Sequence, residues 1–156
     1  IVLLGAEVSF ANQNLSRYEY ESEALNVSHY QKRALVIMIM NMITRNFSNG
    51  SKPLSAESIA SNLKIPVRLV RDILQDLGNA ELVSVIHDDD HTERLYQPAI
   101  DINKMTISWI LSRLEKKGTE HQIFVKGKEY HRVVEILDKF DDLINRSEAN
   151  ILIKDL

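Results

Sequence analysis

Two histidines flank three aspartates in the segment His87-Asp-Asp-Asp-His91, and imidazole and carboxylate groups are ligands that zinc and manganese accept. Histidines four residues apart converge on one face only when they lie in a helix. This segment is polar and lies between two short β-type runs, so it is predicted to be a hairpin loop. The sequence indicates no third, distant ligand. We therefore interpret the segment as a solvated loop and predict no metal site.

Nuclease or hydrolase chemistry would need a different set of residues. It requires spaced carboxylates for two metal ions, or His and Lys side chains gathered around a phosphate. The other histidines, His29, His121 and His131, are far apart, and Lys126-Gly-Lys128 lacks the rest of a phosphate-binding loop. The chain has no cysteine, which excludes a thiol nucleophile and thiolate ligation of zinc or iron. We predict no enzyme activity, no catalytic residue, no cofactor and no small-molecule substrate.

Basic and amide side chains cluster around the second of two short predicted helices. Arginine pairs with guanine through two hydrogen bonds and lysine neutralises phosphate, so such a cluster can contact DNA. Asp72 and Asp76 on the same surface oppose this interpretation because they repel phosphates. The alternative is a solvated helix face. The candidate nucleic-acid contacts are Lys64, Arg68, Arg71 and Gln75.

The predicted hairpin loop is acidic at its tip. Asp88, Asp89, Asp90 and Glu93 lie where a wing that enters a minor groove normally carries arginine or lysine. Arg94 alone does not offset these carboxylates. The wing therefore disfavours DNA and is better suited to a protein partner or to solvent.

These residues must be positioned by a mainly helical chain. The 156 residues are 44% hydrophobic and 26% charged with only five glycines and three prolines, which favours a folded helical protein over a turn-rich β fold. The formal net charge of −3 does not indicate a strongly basic nucleic-acid binder. No run of roughly 18 apolar residues occurs, so the chain by itself is predicted to be soluble.

Capping signals and apolar periodicity divide the chain into its elements. Ser28 and Gln31 form a capping box, and Ser55 and Asn103 are predicted to cap later helices. The predicted elements are a short helix within 1–14, helices over 28–49, 54–63, 66–77, 103–117 and 129–146, and strands over 82–86 and 94–97.

The order helix, helix, tight turn, helix and hairpin is typical of a winged helix-turn-helix. The helix over 66–77 is then exposed, where it can enter a major groove. The predicted fold is mainly α with a small β-hairpin, a winged helix-turn-helix with additional N- and C-terminal helices. We expect a helix end and connector over 1–27, the winged helix-turn-helix over 28–100 and a C-terminal helical extension over 101–156.

The C-terminal extension carries apolar side chains that could pack within the monomer or across a two-fold axis. Trp109 lies about a third of a turn away from the apolar stripe of its helix. It is either an ordinary core aromatic or an extension of an interface. The candidate interface residues are Trp109, Ile110, Leu114, Val133, Leu137 and Phe140.

Residues 54–83, LSAESIASNLKIPVRLVRDILQDLGNAELV, resemble winged-helix regulators, most closely the iron–sulfur-sensing transcription regulators. The resemblance implies the fold and is not specific for function. The cluster ligands of that group are cysteines, which this chain lacks, so their sensing chemistry is not implied. Lys64 and Glu81 stand where such regulators have glycine. At Lys64 a left-handed conformation is expected, at a cost of about 1 kcal/mol.

A second resemblance covers more of the chain. Gly5-Ala-Glu-Val-Ser-Phe-Ala-Asn-Gln13 looks like the end of a membrane helix, and Tyr18-Glu-Tyr-Glu21 and Tyr96-Gln-Pro-Ala-Ile-Asp-Ile-Asn103 look like the cytoplasmic winged-helix extension that follows it. Both are similar to the YihY/BrkB family of bacterial inner-membrane proteins, formerly labelled ribonuclease BN. The resemblance implies attachment to a membrane domain, at the cytoplasmic face of the inner membrane.

The leading prediction is therefore a non-catalytic winged-helix domain of a bacterial membrane protein. It would act through contacts with a protein partner or with a second copy of itself, as a homodimer. The alternative is a DNA-binding transcription regulator that uses the 66–77 helix. A weaker alternative, a component of a tRNA-processing ribonuclease, rests only on the former label of the family.

Overall fold

The computed structural model describes residues 27–87, 93–117 and 127–156. The predicted helix within 1–14 and the acidic wing tip at 88–90 lie outside the described residues. In the described residues the fold is mainly helical with a small antiparallel sheet, which confirms the predicted winged-helix class. The elements are α1 (His29–Ser48), β1 (Leu54–Ser55), α2 (Ala56–Leu63), α3 (Val67–Asn79), β2 (Val83–His87), β3 (Arg94–Pro98), α4 (Ile107–Lys116), α5 (Lys128–Asn145) and a 3₁₀ turn (Ile153–Asp155).

Helix α1 is the central element of the core. Its predicted capping box is present, because the Ser28 hydroxyl accepts the amide of Gln31 at 3.2 Å and the Ser28 amide donates to the Gln31 side chain at 3.1 Å. Ile39 and Ile43 are fully buried beneath the other helices. The buried Thr44 hydroxyl donates to the Met40 carbonyl at 2.8 Å, so its polar group is satisfied inside the helix.

Helices α2 and α3 form the helix-turn-helix. Ser55 caps α2 as predicted and accepts the amide of Ser58 at 3.2 Å. Lys64 ends α2 in the left-handed conformation, with φ 54° and ψ 44°, so the chain turns within three residues before α3 begins at Val67. Residues of α3 at helical spacing face the core and fix its outer side toward solvent. They are Val70, Ile73, Leu74 and Leu77.

The sheet has one more strand than the predicted hairpin. Strand β1 pairs antiparallel with β3, opposite Leu95 and Tyr96, and gives the strand order β1-β3-β2. A strand of two residues is too short to show an alternating pattern, so it was not predictable from periodicity. It fixes the start of α2 against the hairpin.

The C-terminal residues share the core of the helix-turn-helix. Thr106, rather than the predicted Asn103, caps α4 and accepts the amide of Trp109 at 3.3 Å. Ile153 is fully buried, and its amide donates to the Met105 carbonyl at 2.8 Å. Helix α5 has no buried residue, and the chain after it returns to α1 through Ile153.

Candidate nucleic-acid interface

One side of α3 is exposed along its length. Arg68, Arg71, Asp72 and Gln75 recur at helical spacing and are all exposed, opposite the buried stripe of the helix. We call these four residues the outer face of α3. The structure thus brings together three of the four predicted DNA contacts. The outer face can present two guanidinium groups and one amide to the major groove of DNA.

Lys64, the fourth predicted contact, is exposed at the turn before α3. Its left-handed conformation matches the expectation for a lysine at a position where glycine is usual. Glu81 at the second such position also has a positive φ, of 58°. Both residues carry backbone strain that glycine would avoid.

Arg71 is paired within the molecule. Its guanidinium donates to Oε1 of Glu57, in the first turn of α2, and both side chains are more than half exposed. This hydrogen bond is the main reason that the pKa of Glu57 lies below its ordinary value. Among the residues that the structure describes, Lys64 and Arg68 have no ion-pair partner. The two arginines of the outer face therefore differ in available charge.

A groove of about 1060 Å³ lies between α3 and the hairpin. Arg71 and Gln75 line it on one side, and Arg94 and Tyr96 of β3 line it on the other. Glu57 lines it as well. Sequence reasoning counted Arg94 only as part of the wing, because its approach to α3 depends on how the hairpin packs. The groove places Arg71 and Arg94 on opposite sides of one opening, and its lining also includes the carboxylates of Glu57 and Glu93.

The predicted interface residues divide into two groups. Ile110 is fully buried in the monomer core, so its prediction as a surface contact is wrong. Leu114 and Trp109 are partly buried, and the guanidinium of Arg113 lies 5.1 Å from the centroid of the Trp109 ring. That stacking accounts for a large aromatic beside the apolar stripe without a partner chain.

The other three predicted interface residues are exposed on α5. Val133, Leu137 and Phe140 are 53%, 54% and 55% exposed. Tyr130 and Ile144 continue the same line, and the five positions alternate in steps of three and four residues. We call them the apolar seam. This spacing is the heptad pattern by which helices pair side by side.

The described residues contain neither a cluster of metal ligands nor a membrane-spanning helix. No group of three or more histidine, aspartate or glutamate side chains is gathered there as a metal site would require. His91 and His121 lie outside the described residues. Within the same ranges, every helix is too short or too polar to cross a bilayer.

Comparisons with known proteins identify structural neighbours only. No protein-family model matches the sequence, and no curated protein matches it. CymR of Bacillus subtilis, described as its global cysteine regulator, has a TM-score of 0.55 at 20% identity over 83% of this chain and 94% of its own. CymR of Staphylococcus aureus has a TM-score of 0.51 at 16% identity, covering 80% of this chain and 93% of its own.

A third neighbour, IscR of T. potens, has a TM-score of 0.51 at 16% identity over 77% of this chain and 81% of its own. At such identities a structural likeness establishes the fold and not the activity. None of these comparisons points to a YihY/BrkB membrane parent. The structural neighbours of this chain are winged-helix regulators, and the chain shares their fold.

Proposed function

We propose that this chain is a DNA-binding transcription regulator that inserts α3 into the major groove. The observation that carries the proposal is the exposed outer face of α3, with Arg68, Arg71 and Gln75 on one side of a helix in a winged-helix fold. The likeness to the CymR regulators supports the same choice. This order reverses the preference drawn from the sequence, in which a protein-contact domain came first.

Several acidic residues near α3, which would repel DNA phosphates, form ion pairs within the molecule. Asp76 accepts a hydrogen bond from Lys32 at 2.7 Å. Glu81 accepts one from Arg113 at 3.0 Å, and Glu57 pairs with Arg71. Each of these carboxylates is already compensated, so its repulsion of an approaching phosphate is reduced.

The net charge that DNA would meet near α3 therefore depends on the side chains that have no ion-pair partner. Asp72 is the acid of the outer face without an ion pair among the described residues, whereas Lys64 and Arg68 are cations without one. Residues 52–86 carry four basic and four acidic side chains and are formally neutral. Because three of the acids are paired, this segment still offers a net cationic patch at the turn before α3 and at the first exposed turn of α3. Such a patch is suited to backbone phosphates.

We further propose that the regulator is a homodimer joined through the apolar seam of α5. The exposed heptad pattern fits an identical helix, because a two-fold axis sets the same seam against itself.

Fluorescence anisotropy with random duplex DNA tests the DNA proposal. Micromolar or tighter binding is expected, with affinity that falls steeply from 50 to 200 mM salt as counterions are released. Arg68→Ala/Arg71→Ala should weaken this binding and flatten its salt dependence, mainly through the loss of Arg68. Arg45→Ala/Arg146→Ala removes the same charge from exposed sites away from α3 and should retain most of the binding. Absence of binding even at low salt would reject the proposal.

A protein-contact domain of a larger membrane protein is the second candidate. The exposed apolar seam favours it, because the seam can also receive an amphipathic helix of another protein. If the chain binds no DNA even at low salt and is a monomer, this second function is favoured. The ribonuclease interpretation gains no residue from the described structure and is not proposed.

A further inference from the structure

We infer that Glu57 is a specificity-determining residue, which positions Arg71 for a base edge and withholds it from backbone phosphate. The inference rests on the proposed DNA-binding function. It assigns different roles in DNA binding to Arg68 and Arg71, the two arginines of the outer face.

The Glu57–Arg71 pair joins the two helices of the helix-turn-helix at their surface. Glu57 lies in the first turn of α2 and Arg71 lies near the middle of α3, and both line the groove beside the hairpin. Their side chains are 52% and 60% exposed. Exposed ion pairs add little to folding stability. The pair is therefore not a main source of fold stability, and it lies in the groove where an approaching ligand would meet it.

The chemistry of guanidinium explains what the carboxylate does. Arginine has five N–H donors in a rigid plane, and Glu57 occupies only part of them. The remaining donors can form the paired hydrogen bonds that guanine accepts at O6 and N7. Because Glu57 already holds the guanidinium plane of Arg71, less side-chain entropy is lost when the base binds.

The same carboxylate makes phosphate a poorer ligand for Arg71. It compensates the charge of the guanidinium and repels an approaching phosphate oxygen. Non-specific binding comes almost wholly from the release of counterions by free cations, so a compensated arginine contributes little to it. Arg71 then contributes mainly where a base edge offers the correct geometry.

Arg68 supplies an internal comparison on the same helix. It is exposed nearly one turn before Arg71 and has no ion-pair partner among the described residues. Its full charge is available to phosphate. We therefore assign general affinity to Arg68 and sequence discrimination to Arg71 with Glu57.

The test first selects preferred sites for the wild-type chain from a random duplex library. Anisotropy then compares selected and random duplexes between 50 and 200 mM salt for the wild type, Glu57→Gln and Glu81→Gln. Glu57→Gln frees one cation, so the slope of log affinity against log salt for random DNA should steepen by about 0.9. The preference for the selected site should fall by about tenfold. Glu81→Gln breaks a different exposed pair, with Arg113, and should leave both values unchanged.

Arg71→Lys is the second variant and does not depend on how Glu57→Gln folds. Lysine keeps the charge and the partner but has no planar fork. Its affinity for random DNA should stay within about twofold of wild type while the site preference is lost. The inference would be overturned if Glu57→Gln kept the wild-type salt slope and site preference. It would also be overturned if Arg71→Lys kept the site preference. Either result would leave the proposed function intact. A wild-type chain that binds no DNA would overturn both.

Discussion

The side-chain amide of Asn41, in the middle of α1, donates a hydrogen bond of 2.6 Å to the carbonyl oxygen of Ile153 near the C-terminal end of the chain. The Ile153 amide is bonded in turn to the Met105 carbonyl, so both polar groups of this buried residue are satisfied. The tail after α5 is thus fixed to the helix at the centre of the core.

Truncation of Ile153 should therefore destabilise the whole fold. Ile153→Ala removes fully buried methyl groups and leaves a cavity, and we expect the free energy of unfolding to fall by about 2–5 kcal/mol. Urea denaturation followed by circular dichroism measures it. Ile151→Ala is the matched control, because Ile151 is 37% exposed and its loss should cost less than about 1 kcal/mol. Equal losses for the two variants would contradict a structural role for the tail.

Glycine at the two strained positions should stabilise the chain. Lys64 and Glu81 have φ of 54° and 58°, which glycine adopts without steric cost. Lys64→Gly and Glu81→Gly should each raise the free energy of unfolding by up to about 1 kcal/mol, seen as a higher melting temperature. Ser61→Gly, at an exposed position inside α2, should lower it by up to about 0.5 kcal/mol. A lower melting temperature in Lys64→Gly would show that its backbone is not strained.

Acid should weaken the Glu57–Arg71 pair only below the ordinary pKa of glutamate. The folded pKa of Glu57 is lowered, so the contribution of the pair is complete above 4.5 and is lost as pH falls through the lower folded value. The difference in unfolding free energy between wild type and Glu57→Gln should stay below about 1 kcal/mol and be constant from about pH 8 to 5.5. Denaturation at several pH values measures it. A change in that difference near neutral pH would contradict this assignment.

A charge in the apolar seam should separate the proposed dimer. Leu137→Glu buries a carboxylate in any seam-to-seam contact, which is strongly unfavourable. Light scattering should give about twice 17.9 kDa for the wild type and the monomer mass for the variant. Arg132→Glu changes an exposed residue of α5 outside the seam and should remain dimeric. A monomeric wild type at high micromolar concentration would remove the dimer proposal.

Local rules were sufficient for much of the fold. The caps at Ser28 and Ser55 and the buried stripe of α3 depend on residues three or four positions apart, which a sequence displays directly. The cap at Thr106 was missed because it belongs to a bridge with Leu152, far along the chain. Strand β1 was missed for the same reason, since its partner β3 lies about forty residues later.

The candidate site shows the same limit. Helical spacing placed Arg68, Arg71 and Gln75 on one exposed side, as the structure has them. No pattern in the sequence marked Glu57 as part of this site. Its pairing with Arg71 depends on the crossing of α2 and α3, which no local pattern reports. The burial of Ile110 likewise depends on how α4 packs against α1.

In the proposed DNA-binding dimer, the attachment of α5 limits how the two halves of an operator can be arranged. The Ser108 hydroxyl donates to Asn145 at 2.8 Å, Lys116 pairs with Asp141 at 3.5 Å, and Ile153 fixes the tail beyond the helix. In a dimer joined through the seam, these contacts should hold the two α3 helices at one separation. Two half-sites should be read together at one spacing, near one helical turn or about 34 Å. Inserting about five base pairs between them would turn one half-site to the opposite side of the duplex, and only one subunit would remain bound.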